Sequence, residues 1–97
     1  MERKINALVI TASDSVAVAI EPLQAGDVAL CKIAGNEQEI RVTQDIPIYH
    51  KIALVDIPAG QPVIKYGKSI GCATKPIKTG DHVHTHNVVS IREAIAR

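Results

Sequence analysis

The densest group of side chains able to do chemistry is Asp81-His82-Val83-His84-Thr85-His86-Asn87, where three of the chain's four histidines occupy alternate positions. A strand over His82–Asn87 would put all three imidazoles on one face, spaced by roughly 6.6 Å, twice the rise per residue. Two neighbours can then converge on one metal, whereas three on a straight strand cannot easily do so. Imidazole suits zinc, iron, manganese or nickel, and no third ligand is identifiable from the sequence. A row of solvated histidines on an edge strand is the alternative reading.

A second group is Val63-Ile64-Lys65-Tyr66-Gly67-Lys68-Ser69-Ile70-Gly71, an apolar run that ends in two lysines, a tyrosine and two glycines. Glycine lets a backbone approach a ligand closely, and an ammonium beside a phenol suits a carboxylate or a hydroxyl-rich molecule. A lysine beside a turn is also the ordinary composition of a solvated loop, and the same holds for His50 and Lys51. Nucleophile elbow, phosphate loop, dinucleotide fingerprint and CxxC ribbon are all absent from the sequence, as is a carboxylate pair placed for acid–base work. These groups do not add up to a self-sufficient active site.

The elements that must position them read as strands. Short apolar runs are each closed by Gly, Pro, Asp or Asn within about ten residues, the rhythm of an all-β domain. The expected strands are Ile5–Ile10, Val16–Ile20, Asp27–Ile33, Glu39–Thr43, Lys51–Leu54, Val63–Lys65 and His82–Asn87. In Val16-Ala17-Val18-Ala19-Ile20 large residues alternate with alanine, so one face carries bulk and the other admits a second layer at close range. Gly35-Asn36 is the expected hairpin connection. One turn recurs at Leu23-Gln24-Ala25-Gly26-Asp27, Ile57-Pro58-Ala59-Gly60-Gln61 and Ile77-Lys78-Thr79-Gly80-Asp81. In each copy the glycine answers a need for positive φ, and the uneven spacing of the copies excludes a solenoid. Ser90-Ile91-Arg92-Glu93 fits a capping box, so a short C-terminal helix is expected to start there.

At 97 residues one domain is expected over 1–97, with a single compact core. The chain has no Trp or Phe and only two Tyr, so the core must be built from Ile, Val, Leu and Ala. A net charge of +1 with interspersed signs offers no footprint for nucleic acid or an anionic membrane, and two aromatics cannot build a base-stacking platform. Cys31 and Cys72 form no CxxC pair and are expected to be reduced, buried thiols. The apolar stretch after Met1 is too short for a signal peptide or a membrane span, so a cytoplasmic protein is expected.

Taken together, Asp14-x-Val16-Ala17-Val18-Ala19-Ile20, His50-Lys51-Ile52-Ala53-Leu54-x-Asp56-Ile57-x-x-Gly60, Val63-Ile64-Lys65-Tyr66-Gly67-x-x-Ile70-Gly71 and Gly80-x-His82-Val83-His84-Thr85-His86-Asn87 resemble the N-terminal domain or small subunit of the altronate/galactarate dehydratase family, a group that includes the sulfolactate sulfo-lyase small subunit. The resemblance implies a SAF domain of β-clip type, all-β and barrel-like, working beside a much larger subunit or C-terminal domain. It implies a lyase that removes water from a sugar acid to give a 2-keto-3-deoxy acid, with a divalent metal, iron or manganese. On that footing His84 and His86 are expected at the metal, with Lys65, Tyr66, Gly67, His50 and Lys51 facing the substrate. Two departures from the family pattern stand out. Tyr49 occupies a place where glycine commonly precedes the His-Lys pair, and Thr11–Ser15 lacks the histidine and asparagine found around that aspartate. The alternatives are a sulfo-lyase subunit, whose leaving group is sulfite, and a non-catalytic module that binds a carbohydrate or related acid, either of them open to homo-oligomer formation.

Overall fold

The computed structural model describes residues 4–90. Nine strands follow in order: β1 (Ala7–Leu8), β2 (Val16–Ala19), β3 (Val28–Ile33), β4 (Asn36–Arg41), β5 (Lys51–Ala53), β6 (Pro62–Lys65), β7 (Lys68–Ala73), β8 (His82–Val83) and β9 (Val88–Val89). Among the described residues there is no helix, in keeping with the all-β class, and none therefore long and apolar enough to cross a membrane. The helix start expected at Ser90 falls largely outside the described residues.

Three antiparallel sheets form: β1-β2-β5-β8, the hairpin β3-β4, and β6-β7-β9. The four-stranded sheet separates two apolar clusters. Ala7, Ala17, Ala19 and Ile52 face the cluster completed by Leu23, Ala29, Cys31, Ile40, Val42 and Ile46. Val16, Ala53 and Val83 face the other, with Ile57, Val63, Ala73 and Ile77. The alanines of β2 work as their spacing requires. Because Ala17 and Ala19 carry so little bulk, the β3-β4 layer comes close, and Asn6 ties it down by donating N–H to Leu30 O at 3.1 Å and accepting Leu30 N–H on Oδ1 at 2.7 Å.

Four corners of one design turn the chain. Each opens on a buried apolar residue, Leu23, Ile46, Ile57 or Ile77. Three positions on, φ is positive: 95° at Gly26, 69° at Tyr49, 86° at Gly60 and 92° at Gly80. The N–H of that residue donates to a strand carbonyl, Gly26 to Val42, Tyr49 to Ala19, Gly60 to Ala73 and Gly80 to Ala53, at 2.7 to 2.8 Å. The carbonyl of the next residue (Asp27, His50, Gln61 or Asp81) accepts the N–H of the same strand residue. The corners work in reciprocal pairs, for the strand residue serving each one lies four positions before the opening of its mate. Leu23 accordingly bridges Ile46, and Ile57 bridges Ile77. Only three copies were legible, because the copy at Ile46-Pro47-Ile48-Tyr49-His50 carries tyrosine in place of glycine.

Other expectations shift in register. The strand expected at Glu39–Thr43 starts at Asn36, since the β3-β4 hairpin turns on Ala34-Gly35 with φ of 52° and 83°. A second such hairpin joins β6 to β7 through Tyr66-Gly67, with φ of 56° and 75°. Positive φ at both central residues is the type I′ pattern that matches strand twist. The strand expected from Ile5 to Ile10 is only Ala7–Leu8, and β7 and β9 were not foreseen. Both cysteines are free, but Cys72 is half-buried where Cys31 is fully enclosed.

Candidate functional site

The strand expected over His82–Asn87 ends at Val83. Asn87 ends it. Its buried side chain accepts the His84 N–H on Oδ1 at 2.9 Å and donates to His82 O at 2.8 Å, while its own N–H donates to His84 O at 3.1 Å. These bonds fold His84–Asn87 into a turn, which brings His86 back to 5.0 Å from His82 while the His84 ring stays 5.8 Å from it and 9° from parallel. His82 leaves from the start of β8, and His84 and His86 leave from the turn.

The sheet adds a fourth imidazole. In the register of β5 against β8, Ile52 lies opposite His82 and Lys51 opposite Val83. This brings the corner residue His50 beside His82, with Nδ1 of His50 and Nε2 of His82 2.8 Å apart. His84 lies over His50 at a centroid separation of 4.1 Å, and His86 sits against His82 at 5.0 Å. All four histidines thus meet, His84 against both members of the central pair and His86 against His82. His50 joins from 32 residues away, a pairing that spacing along the chain could not reveal.

Crowding disfavours charge here. Burial, then the neighbouring His86, His50, His84 and Lys51, hold the His82 imidazole below its ordinary pKa. Burial, then His50, Lys51 and His86, act on His84 in the same direction. Lys51 is itself pushed down by burial and by the Lys65 charge. A shallow cavity of about 200 Å³ opens beside these residues, with Lys51, His84, Thr85 and Ser90 supplying polar atoms and Ile70, Val83 and Val88 an apolar wall.

Lys65, Tyr66 and Gly67 form the tip of the β6-β7 hairpin, and the Lys65 ammonium stands 4.8 Å from the centre of the Tyr66 ring. What fixes this tip is Asp14. Its Oδ1 accepts Thr11 Oγ1–H at 2.6 Å and Gly67 N–H at 2.9 Å, and Oδ2 accepts the N–H groups of Ile10 and Thr11 at 3.2 Å. Burial pushes the Asp14 pKa up, but these bonds, to Thr11 and Gly67 above all, outweigh it and bring it to about 2. Ser15 adds a second tie, donating N–H to Ile64 O at 2.9 Å and accepting Ile64 N–H on Oγ at 2.7 Å. Asp14 was visible only as part of a family pattern. Its role as a clasp across 53 residues was not.

By type, imidazole donors suit a divalent metal such as iron or manganese. As a set they do not close around one, since no three His, Cys, Asp or Glu side chains among the described residues form a group that could hold an ion. The arrangement offers a hydrogen-bonding imidazole surface beside Lys51 and a shallow cavity.

Comparison with known proteins bears on what such a surface serves. The model of the altronate/galactarate dehydratase SAF domain matches residues 5–91. The chain is similar to altronate dehydratase of Escherichia coli strain K12, 44% identical over 78 residues, a match that takes in 80% of this chain and 15% of that protein. It is also similar to the (2R)-sulfolactate sulfo-lyase subunit alpha of Chromohalobacter salexigens, 35% identical over 91 residues, covering 91% of this chain and 97% of that subunit. With the corresponding subunit of Paracoccus pantotrophus it is 45% identical over 60 residues, 60% of this chain and 90% of that subunit.

Proposed function

The chain belongs to the altronate/galactarate dehydratase SAF-domain family, and from that premise we propose that it is the small component of a sugar-acid dehydratase, acting with a larger subunit or domain in the elimination of water from a hydroxy acid. The observation that carries the reading is the convergence of Lys51 and four histidines beside one cavity, with Lys65 near enough to act on Lys51, in a chain without a full catalytic set.

Such an elimination needs a base for the proton α to the carboxylate, a positive centre for the enediolate, and an acid for the departing hydroxyl. Lys51 and Lys65 supply positive charge to the substrate carboxylate. Tyr66, at the clasped hairpin tip, offers a phenol to a substrate hydroxyl, and the Gly67 backbone lets the acid approach. His50 orients its neighbours His82 and His84. His84 and His86 would hold a divalent metal, iron or manganese, only together with ligands from the larger component. Such a metal, when bound, supplies Lewis acidity to the enediolate. The principal base belongs to the larger component.

Removing His84 and His86 together, as H84A/H86A, tests the assignment in the assembled enzyme. Loss of bound metal and of dehydration is the expected result, and unchanged metal content with unchanged turnover would exclude both residues. A second reading, the small subunit of a sulfo-lyase, is favoured by the likeness running along nearly the whole of a sulfo-lyase alpha subunit. Assaying the assembled enzyme for sulfite release from (2R)-sulfolactate against water loss from altronate and galactarate separates the two.

A further inference from the structure

The four corners share one hydrogen-bond scheme but not one set of residues. At the two tip positions three of them carry Ala25-Gly26, Ala59-Gly60 and Thr79-Gly80, while the fourth carries Ile48-Tyr49. A side chain at φ 69° strains the backbone that glycine adopts freely. Among the described residues the other two non-glycine residues with positive φ, Ala34 and Tyr66, are accounted for by type I′ hairpins, where the strand twist selects that geometry. Tyr49 has no such explanation.

Nor does its side chain repay the strain within the fold. Tyr49 is 71% exposed and Ile48 40% exposed, so neither fills a core. The strained residue leads directly into His50 and Lys51, and Lys51 lies on the cavity wall beside His84. The chain's only other aromatic, Tyr66, also stands on a positive-φ turn beside a site lysine, exposed to 54%. Strained backbone that holds an exposed side chain next to reactive groups is the pattern of a ligand clamp.

We infer that Tyr49 is a specificity-determining residue that contacts the hydroxy acid bound at the histidine–lysine surface, its phenol serving a substrate hydroxyl while Lys51 holds the carboxylate. The inference rests on the proposed function for the nature of the ligand. Strain and recognition then act in opposite directions at one position, and this separates the role from a structural one.

The test uses the full chain with altronate, galactarate and (2R)-sulfolactate as probes, followed by NMR titration, together with thermal unfolding of the wild type, Tyr49→Gly, Tyr49→Ala and Tyr49→Phe. Tyr49→Gly is expected to raise the melting temperature, by about 4–8 °C for a domain of this size, and to weaken binding of the preferred acid at least fivefold. Tyr49→Ala keeps the strained φ and loses the ring, so it is expected to weaken binding to the same degree without the gain in stability. Tyr49→Phe is expected to lose the preference among the three acids. Wild-type binding retained in full by both Tyr49→Gly and Tyr49→Ala overturns the inference and leaves the proposed function standing. A lower melting temperature for Tyr49→Gly overturns it as well, because the ring would then belong to the fold. Failure of the wild type to bind any of the three acids overturns both the inference and the assignment of the substrate-facing residues.

Discussion

Nδ1 of His50 and Nε2 of His82 meet head-on, 2.8 Å apart, with ring centroids 5.0 Å apart and planes 24° from parallel. The centroid separation nearly equals the nitrogen separation plus one ring radius at each end, so the two nitrogens face along a single line. Lone pairs of imidazole lie in the ring plane, and two facing nitrogens can share one proton but cannot both carry one. One nitrogen therefore donates to the other, and a gap of 2.8 Å leaves no room for an ion between them.

Stability should follow from this at mildly acid pH. His82 and His84 have folded pKa values below the ordinary 6.5, so the unfolded chain binds more protons in that region. Unfolding free energy is expected to hold level well above pH 6.5 and to fall as pH drops through 6.5 toward the folded values. Chemical denaturation at a series of pH values from 8 to 5 measures this, and a flat or rising profile on acidification would show that the crowding does not disfavour charge on His82 and His84.

Asp14 titrates in a separate window. Its folded pKa of about 2 lies below the ordinary 3.8, so its contribution is complete above 3.8 and disappears as pH falls from 3.8 toward 2. The difference corresponds to about 2 kcal/mol, and Asp14→Asn should cost a comparable amount at neutral pH. The Gly67 amide resonance of that variant is expected to move, since the clasp at the hairpin tip opens. Loss of stability with an unmoved Gly67 signal would mean that the clasp does not position the tip.

Lys51→Met removes a charge that bears on both His82 and His84. The pKa values of both imidazoles should rise, read from their ring carbon shifts during an NMR titration. If neither moves, Lys51 does not share a surface with them.

The corner glycines should differ in sensitivity although their backbones match. A Cβ on Gly80 would come within 2.2 Å of Arg41 O, whereas one on Gly60 would meet nothing within 4 Å. Gly60→Ala carries only the positive-φ cost, about 1 kcal/mol. Gly80→Ala adds a backbone clash and is expected to lose about 3 kcal/mol or more. Urea midpoints for the two variants give the comparison directly.

Local signals were legible and reciprocal ones were not. Leu23, Ile57 and Ile77, each followed three residues later by glycine, announced three corners. Tyr49 concealed the fourth, because no rule of turn chemistry places a bulky aromatic at positive φ. The alternation in Val16–Ala19 gave the correct packing of β2, since a two-residue period is a property of the strand itself. The histidine row failed for the opposite reason: whether His82–Asn87 stays extended depends on where the Asn87 side chain finds its partners, and those lie on the backbone of the same turn. His50 and Asp14 entered the sequence reading by resemblance and without their geometry, because His82 and Gly67, their partners, are brought to them only by the sheet register and the hairpin.

The reciprocal corners also divide the chain into two loops. Leu23 with Ile46 closes one loop of the sequence, and Ile57 with Ile77 closes the next, each around its own apolar cluster. Contacts that join distant parts of a chain form late, after the shorter loops have closed. His50 belongs to the first loop's second corner and His82 follows the second loop's last corner, so their hydrogen bond lies on the seam. The imidazole pair therefore fastens one loop to the other across 32 residues of sequence, and is expected among the later contacts of folding rather than in its nucleus.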